Sequence, residues 1–431
     1  MRRITVTMKI ASLVLAASLF TGCSVANTAN DTPGASGGAV SGSVAAEDGE
    51  EVLAAKSKNH LENSDNRYES YYDEKTDYIA QYRLDGTLVK KNKIKNDGVA
   101  WVTDEWLYYI REDYKTEIDT LWRIPIKKTD KGDRLLTDKK EKVLDAYLVD
   151  VDYVTDSYII MEIYDYVGGE ERDLVCKYDL ETGKRTELIG AEEDEEAEVL
   201  WGNTYPLMWE GNLFFEGFDK LYILDPEKGR VSSLYSFKKS EYIDDYALIG
   251  NELYFLANNK LYQCNCSTKE TECVISEKKF KKAIQDLDLN LGNIKSIEME
   301  DVYLNQGRLY FDIGAELTKK KSGSGKKDVY YKYELFSVSL DDLGKFQHED
   351  KLMDYLDKKG EFSKSSYTSY EYWYHTGYVR GIVDGKIIAS YYKVKGEGDY
   401  DYKYRYVIYD LQTGEIEDIA EKELPEEYKD Y

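Results

Sequence analysis

One paragraph of sequence recurs down this chain, and it restricts the fold more than any other feature. An aromatic-rich strand appears as Leu107-Tyr108-Tyr109, Leu213-Phe214-Phe215, Leu253-Tyr254-Phe255 and Leu309-Tyr310-Phe311. A second strand follows and ends in a polar turn: Leu174 to Leu180 before Thr182-Gly183, Leu221 to Asp225 before Lys228-Gly229, and Tyr406 to Leu411 before Thr413-Gly414. Such a unit cannot bury both of its faces alone and must stack on its neighbours. The alternation is two-residue throughout, and Gly, Asn and Asp bound the runs.

Anchoring the repeat on its polar turn gives Asp85-Gly86, Lys131-Gly132, Thr182-Gly183, Lys228-Gly229, Lys269-Glu270, Leu343-Gly344 and Thr413-Gly414. Seven anchors over about 365 residues make roughly 52 per unit, the span of a four-stranded propeller blade. The expected fold is therefore all-β, a seven-bladed β-propeller of four-stranded blades over residues 66–431, with six or eight blades as the alternatives because the spacing between the fifth and sixth anchors is stretched. The first unit is assignable only from Ile79 to Lys91. The two chain ends are expected to complete it together, which would leave no bare sheet edge.

Residues 1–22 read as a targeting segment. Arg2, Arg3 and Lys9 precede an uncharged run from Ile10 to Phe20, too short to span a bilayer and suited to a signal-peptide core. The run ends in Phe20-Thr21-Gly22-Cys23, which resembles the lipobox of bacterial lipoproteins. The resemblance implies lipidation of Cys23 and a place on the outer face of the cytoplasmic membrane, with the lipid as the membrane contact. Residues 23–65 form the expected tether: the stretch to Lys58 is almost wholly small and polar, and the first tyrosine of the chain is Tyr68. Such a composition buries too little apolar surface to offset its chain entropy.

The repeats behind this leader resemble a family of bacterial lipoproteins whose propeller is like that of the low-density-lipoprotein-receptor ectodomain. They are similar, more loosely, to quinoprotein-type repeats, although the tryptophan those carry after the Thr-Gly turn is missing here. The resemblance implies the fold and says nothing about activity, since propellers host binding, scaffolding and catalysis alike.

Without the leader's three basic residues the chain has 55 basic against 83 acidic groups, a net charge of −28. Nucleic acid and anionic membrane surfaces, which need a basic face, are excluded as ligands. A protein, a peptide, a cation or a glycan remains as partner. No cofactor or metal motif is present. Asp286 to Gly292 imitates a calcium loop, but its glycine falls at position seven and position twelve is Ile297. The chain has three histidines, His60, His348 and His375, and neither a nucleophile elbow nor a phosphate loop. A non-catalytic binding or scaffolding role is the favoured expectation. The alternative is a propeller enzyme acting on carbohydrate through paired carboxylates.

Cys176, Cys264, Cys266 and Cys273 remain after lipidation. A cross-strand Cys266–Cys273 disulfide suits an extracytoplasmic address, and free thiols suit the sequence equally. The elastic gaps in the repeat fall on one face of the propeller: residues 111–119, 165–173, 314–328 and 393–401, with helical spacing at 277–291 and 349–359. Elaborated loops on one side of a rigid scaffold mark that side for binding. The candidate ligand contacts are the aromatic cluster Tyr370, Tyr372, Trp373 and Tyr374, and acids on the expected inner strands: Asp150, Asp152, Asp244, Glu298 and Glu300.

Overall fold

The computed structural model describes residues 61–424, apart from residues 62, 74–75, 114–117, 147, 168–169, 190–196, 203–204, 218–219, 239–241, 288, 290, 321–326, 367–369, 384 and 394–402. The leader, Cys23 and most of the tether lie outside the described residues. The chain folds into a succession of antiparallel sheets that form a β-propeller. Blade one spans Gly98–Ala146, blade two Leu148–Ile189, blade three Ala197–Ser236, blade four Ile243–Ile275, blade five Asn293–His375 and blade six Gly377–Ala420.

Six blades, not seven, carry four or more strands. The unit at Asn66–Lys93 stays a three-stranded sheet, and no strand from the C-terminal end joins it among the described residues. Its polar turn mimics a blade anchor, which is why the count from sequence ran one too high. This sheet packs on blade one through Tyr68, Ile79, Leu107 and Ile124. The residues before it are fastened as well, because Arg134 donates to Asp65 at 2.5 Å.

The aromatic strand of each unit is its second strand, and packing explains its composition. In blade three, Phe214 faces blade four while Leu213 and Phe215 face blade two, and all three are wholly buried. A strand covered on both sides needs apolar residues at consecutive positions, so the run Leu-Phe-Phe replaces simple alternation. Each such side chain contributes about 1.5–3 kcal/mol on burial.

The turn anchors have a common cause too. Gly183 and Gly414 take φ of 67° and 69°, a left-handed backbone that other residues adopt at a cost. Asp179 Oδ1 accepts the Thr182 N–H at 2.7 Å, and Asp410 Oδ1 accepts that of Thr413 at 2.7 Å. In blade four Lys269 holds the left-handed position at φ 62°, with Asn265 in the aspartate's place. In blade five the Leu343-Gly344 anchor lies inside the strand Asp342–His348.

Two helices fall in the segments with helical spacing: α1 at Glu277–Gln285 buries Phe280 and Ile284 but stops short of Leu287 and Leu291, and α2 at Asp350–Lys359 buries Leu352, Met353 and Leu356. No helix among the described residues is long and apolar enough to cross a membrane. The gap at 314–328 differs from the expected loop. Strands Arg308–Lys320 and Lys327–Ser339 stay paired out to Lys320↔Lys327, so the insertion is a β-ribbon projecting from blade five.

Among the described residues the four cysteines form no disulfide, which agrees with the free-thiol alternative and not with a Cys266–Cys273 bridge. Cys273 pairs with Tyr262 and Cys264 with Thr271. Cys266 lies past the end of that ladder, four residues beyond the position opposite Cys273. That separation exceeds the reach of a disulfide.

Candidate binding surface on the inner strands

The first strand of five blades contains a one-residue bulge, two residues further from the turn in blades four and five than in blades one, two and six. The register shifts place Ala100, Asp152, Asp244, Glu300 and Arg380 at these bulges. A bulge leaves its residue out of the ladder, bends the strand and re-aims the side chain. Three of the five sequence-nominated acids, Asp152, Asp244 and Glu300, thus sit at bulges. The side chain of Glu300 lies outside the described residues.

Around Asp152 the charges crowd. Asp152 is 1 % exposed, hydrogen-bonds to Glu162 on the neighbouring strand, and keeps its Oδ2 without a hydrogen-bond partner. Burial, then the charges of Glu162 and Asp150, push its carboxyl well above the usual range. Burial likewise pushes Glu162 up to about 8, against the pull of the Val199 N–H that it accepts at 2.8 Å and with Asp150 and Glu198 adding repulsion. Asp150 reaches water yet lies among enclosing protein, and that enclosure, helped by Glu198, raises it too. Two carboxyls that share a site cannot both ionise readily.

A second group links blades three, four and five. Glu216 Oε1 accepts the Ile243 N–H at 2.9 Å, and Asp245 Oδ2 accepts that of Val302 at 2.7 Å. Burial raises Asp244 to about 6, with Glu216 and Glu298 contributing. Burial raises Asp245 to about 7, the Val302 and Tyr246 amides opposing and Asp301 and Asp244 assisting. Glu162, Glu216 and Asp245 therefore strap one blade to the backbone of the next while adding to an acidic wall.

Those strapping acids were not nominated from sequence. For Glu162 and Glu216 the signal is an acid inside an apolar second strand, as in Ile160-Met161-Glu162-Ile163 and Phe214-Phe215-Glu216, which alternation alone treats as an ordinary exposed position; Asp245 lies on a first strand beside Asp244.

The aromatic cluster occupies a different place. Tyr370–His375 is an extra strand that runs parallel to Lys327–Ser339, three strands out from the inner one and so roughly 14 Å from it. Trp373 stacks on Tyr330 at 6.1 Å on one face, and Tyr372 and Tyr374 stack on Tyr331 at 6.1 and 4.9 Å on the other. The structure does not bring Trp373 to the inner acids. In the ladder of parallel tyrosines the ring faces are used by neighbours, so it presents mainly edges, a poor platform for a sugar ring.

Blade five joins the two regions by register. Ser296, Glu316, Tyr331 and Tyr374 lie side by side across four strands, and Glu298, Gly314 and Tyr333 form the adjoining row. Between them opens a cavity of about 210 Å³ lined by Ser296, Glu298, Glu316, Tyr331 and Tyr333. A second cavity of about 240 Å³ lies at the opposite, tight-turn end between blades one and two, lined by Thr103, Glu105, Arg123 and Asp156 among others.

No family model matches the chain, and no curated protein matches it. Among solved structures it is similar to the β-propeller domain of the Trilobed protease from Pyrococcus furiosus, at 14 % identity and a TM-score of 0.34, over 84 % of this chain and 95 % of that one. It is similar also to an oligogalacturonate lyase in complex with manganese, at 8 % identity and a TM-score of 0.33, over 66 % of this chain and 84 % of that one. An acylaminoacyl peptidase from Pyrococcus horikoshii matches at 12 % identity and a TM-score of 0.31, over 78 % of this chain and 57 % of that one. Likenesses at these scores carry no argument about activity, and the fold rests on the sheets described above.

Proposed function

We propose that this chain is a non-catalytic binding propeller, held by lipid at Cys23 outside the cell, that captures a positively charged ligand or protein segment on its inner-strand acids. One observation carries the reading: carboxyls of blades two and four have raised pKa values, acids of blades three and five crowd them, and no cation stands among them in the described residues. Groups held in that condition resist ionisation, and an incoming positive charge relieves the repulsion. The net charge of the mature chain adds a long-range attraction of the same sign. The paired-carboxylate enzyme is the weaker reading. Its best candidate pair, Asp152 and Glu162, is hydrogen-bonded together, and Asp152 is buried beyond the reach of a substrate.

The test uses the full-length lipoprotein in detergent and a pentalysine peptide, with pentaglutamate as control. Pentalysine should bind and weaken steeply as salt rises, since exposed charges are screened within about 8 Å at physiological ionic strength. Asp150→Asn and Asp244→Asn should each weaken it several-fold. Binding that ignores salt and both substitutions, or that falls instead with Glu105→Gln at the tight-turn cavity, rejects the proposal. The anchor is checked separately by fatty-acid labelling, where Cys23→Ala should abolish incorporation; equal labelling of the variant removes the membrane address.

A further inference from the structure

The cavity on blade five is too small for the pockets that engulf a whole ligand, which run to roughly 300–1,000 Å³. It suits one side chain or head group. We propose that it is a socket for a primary ammonium, such as a lysine side chain of the partner, and that Lys295 of the chain itself competes for that socket. This rests on the reading that the propeller binds cations and narrows it to one chemical group and one place.

Four features select an ammonium. Glu298 is exposed and makes no hydrogen bond or ion pair among the described residues, so it adds a free negative charge to the rim. Glu316 lies across the cavity with a side chain mostly withdrawn from water. Tyr331 and Tyr333 complete the wall, the Tyr331 hydroxyl bonded to Glu316 and the Tyr333 ring lying over Gly314. The only lysine lining the cavity, Lys332, is turned to other partners: its Nζ lies 2.6 Å from Glu334 and 2.7 Å from Asp357. The floor depends on Gly314, where an added Cβ would meet Tyr333 Cε1 at 2.8 Å, so glycine lets that ring close over the strand.

The chain also shows how the socket holds its ligand. Lys295 sits at a second bulge of the inner strand, between Ile294 and Ser296. The bulge re-aims it towards Glu316, whose two carboxylate oxygens receive its Nζ at 2.8 and 3.0 Å while Ser296 Oγ donates at 2.8 Å. Burial alone would raise Glu316; the bonds from Lys295 and Ser296 outweigh it and hold the group ionised below its ordinary value. The Lys295 side chain is still 63 % exposed, so the pair is a surface ion pair on a flexible stem. Such pairs are weak, and a ligand ammonium that also gains Glu298 can displace it.

The experiment is calorimetric titration of the full chain with Nα-acetyl-lysine amide and with its Nε-acetylated form. The wild type should bind the first at least tenfold more tightly than the second. Lys295→Ala, and Lys295→Met which keeps the stem, should tighten binding about two- to fivefold, the factor an exposed ion pair is worth. Glu316→Gln should weaken binding tenfold or more with an unchanged melting profile. Binding that is unaffected or weakened by both Lys295 variants overturns the internal competitor. Binding that survives Glu316→Gln and Glu298→Gln but fails with Asp150→Asn and Asp244→Asn overturns the socket and leaves the wider cation reading standing. Failure of pentalysine and of both lysine amides to bind overturns the two together.

Discussion

Glu334 and Asp152 are equally shielded from water, each 1 % exposed, but they keep different company. Glu334 receives Lys332 Nζ at 2.6 Å and His348 Nε2 at 2.9 Å, and Lys332 continues to Asp357, which lies 3.5 Å from His375. Burial would raise Glu334, yet the His348 bond and the Lys332 charge hold it below the usual carboxylate range. Asp152 has carboxyls for neighbours, and every one of them pushes it up. The first arrangement neutralises its charge within the fold, although Glu334 Oε1 meets the Lys332 ammonium as an ion pair and accepts no hydrogen bond. The second has no group of opposite charge among the described residues of the fold to complete it. In a chain with 83 acidic residues, acidity by itself therefore locates nothing; what separates structure from function is whether the buried charge already has its complement.

The largest expected effect breaks the satisfied region. Glu334→Ala leaves the Lys332 ammonium enclosed with only the half-exposed Asp357 as partner, and breaking such a pair costs about 3–5 kcal/mol. Urea denaturation at pH 7 should show that loss, with a smaller one for Glu334→Gln. A loss below about 1 kcal/mol would mean the network is ornamental and the contrast false.

The second effect should have the opposite sign. Glu162 titrates at about 8 in the folded chain and at about 4.3 in an unfolded one. Between those values the folded state keeps a proton that the unfolded state has released, so its stabilising contribution is full below about 4.3 and is lost as pH rises towards 8. Asp244 at about 6 and Asp245 at about 7 act in the same direction. His375, held below its ordinary value by burial, opposes them over the lower part of that window. The clean measurement is therefore the difference between wild type and Asp152→Asn. The amide can donate to Glu162, so the variant should be more stable at pH 8 by roughly 1–2 kcal/mol, one pKa unit being about 1.4 kcal/mol. The advantage should shrink towards pH 5. A variant less stable than wild type at pH 8 would show that the two carboxyls are not in conflict.

The unevenness of what could be read from the sequence follows from the same physics. The aromatic second strands and the Asp-to-Gly turns are local devices repeated unit by unit, so the propeller was legible. The seventh blade was not, because a three-stranded sheet and a blade share one turn chemistry and differ only in pairing across the whole chain. Asp150, Asp152, Asp244 and Glu298 lie on first strands as expected, but the bulges that aim Asp152 and Asp244 are register events that no spacing announces. Trp373 drew notice for aromatic density, whereas its parallel pairing beside Lys327–Tyr331 joins segments about 45 residues apart and turns it away from Tyr372 and Tyr374.

The smallest expected effect checks that enclosure, and not pairing as such, makes the difference. Lys282 and Asp286 form an i,i+4 ion pair at the end of α1, with both side chains about two-thirds exposed. In water-like surroundings the Coulomb gain of such a pair nearly cancels against the entropy of holding two long side chains, and salt screens the remainder. Lys282→Ala also places a better helix former in the last turn while removing a cation that favours the helix C-terminus. The two changes oppose each other, so the net shift in urea stability should stay within about 0.5 kcal/mol and vanish at high salt. A loss comparable to that of Glu334→Ala would mean that a carboxylate's having any partner matters as much as where it sits. The unsatisfied acids of the inner strands would then lose their claim to be a site.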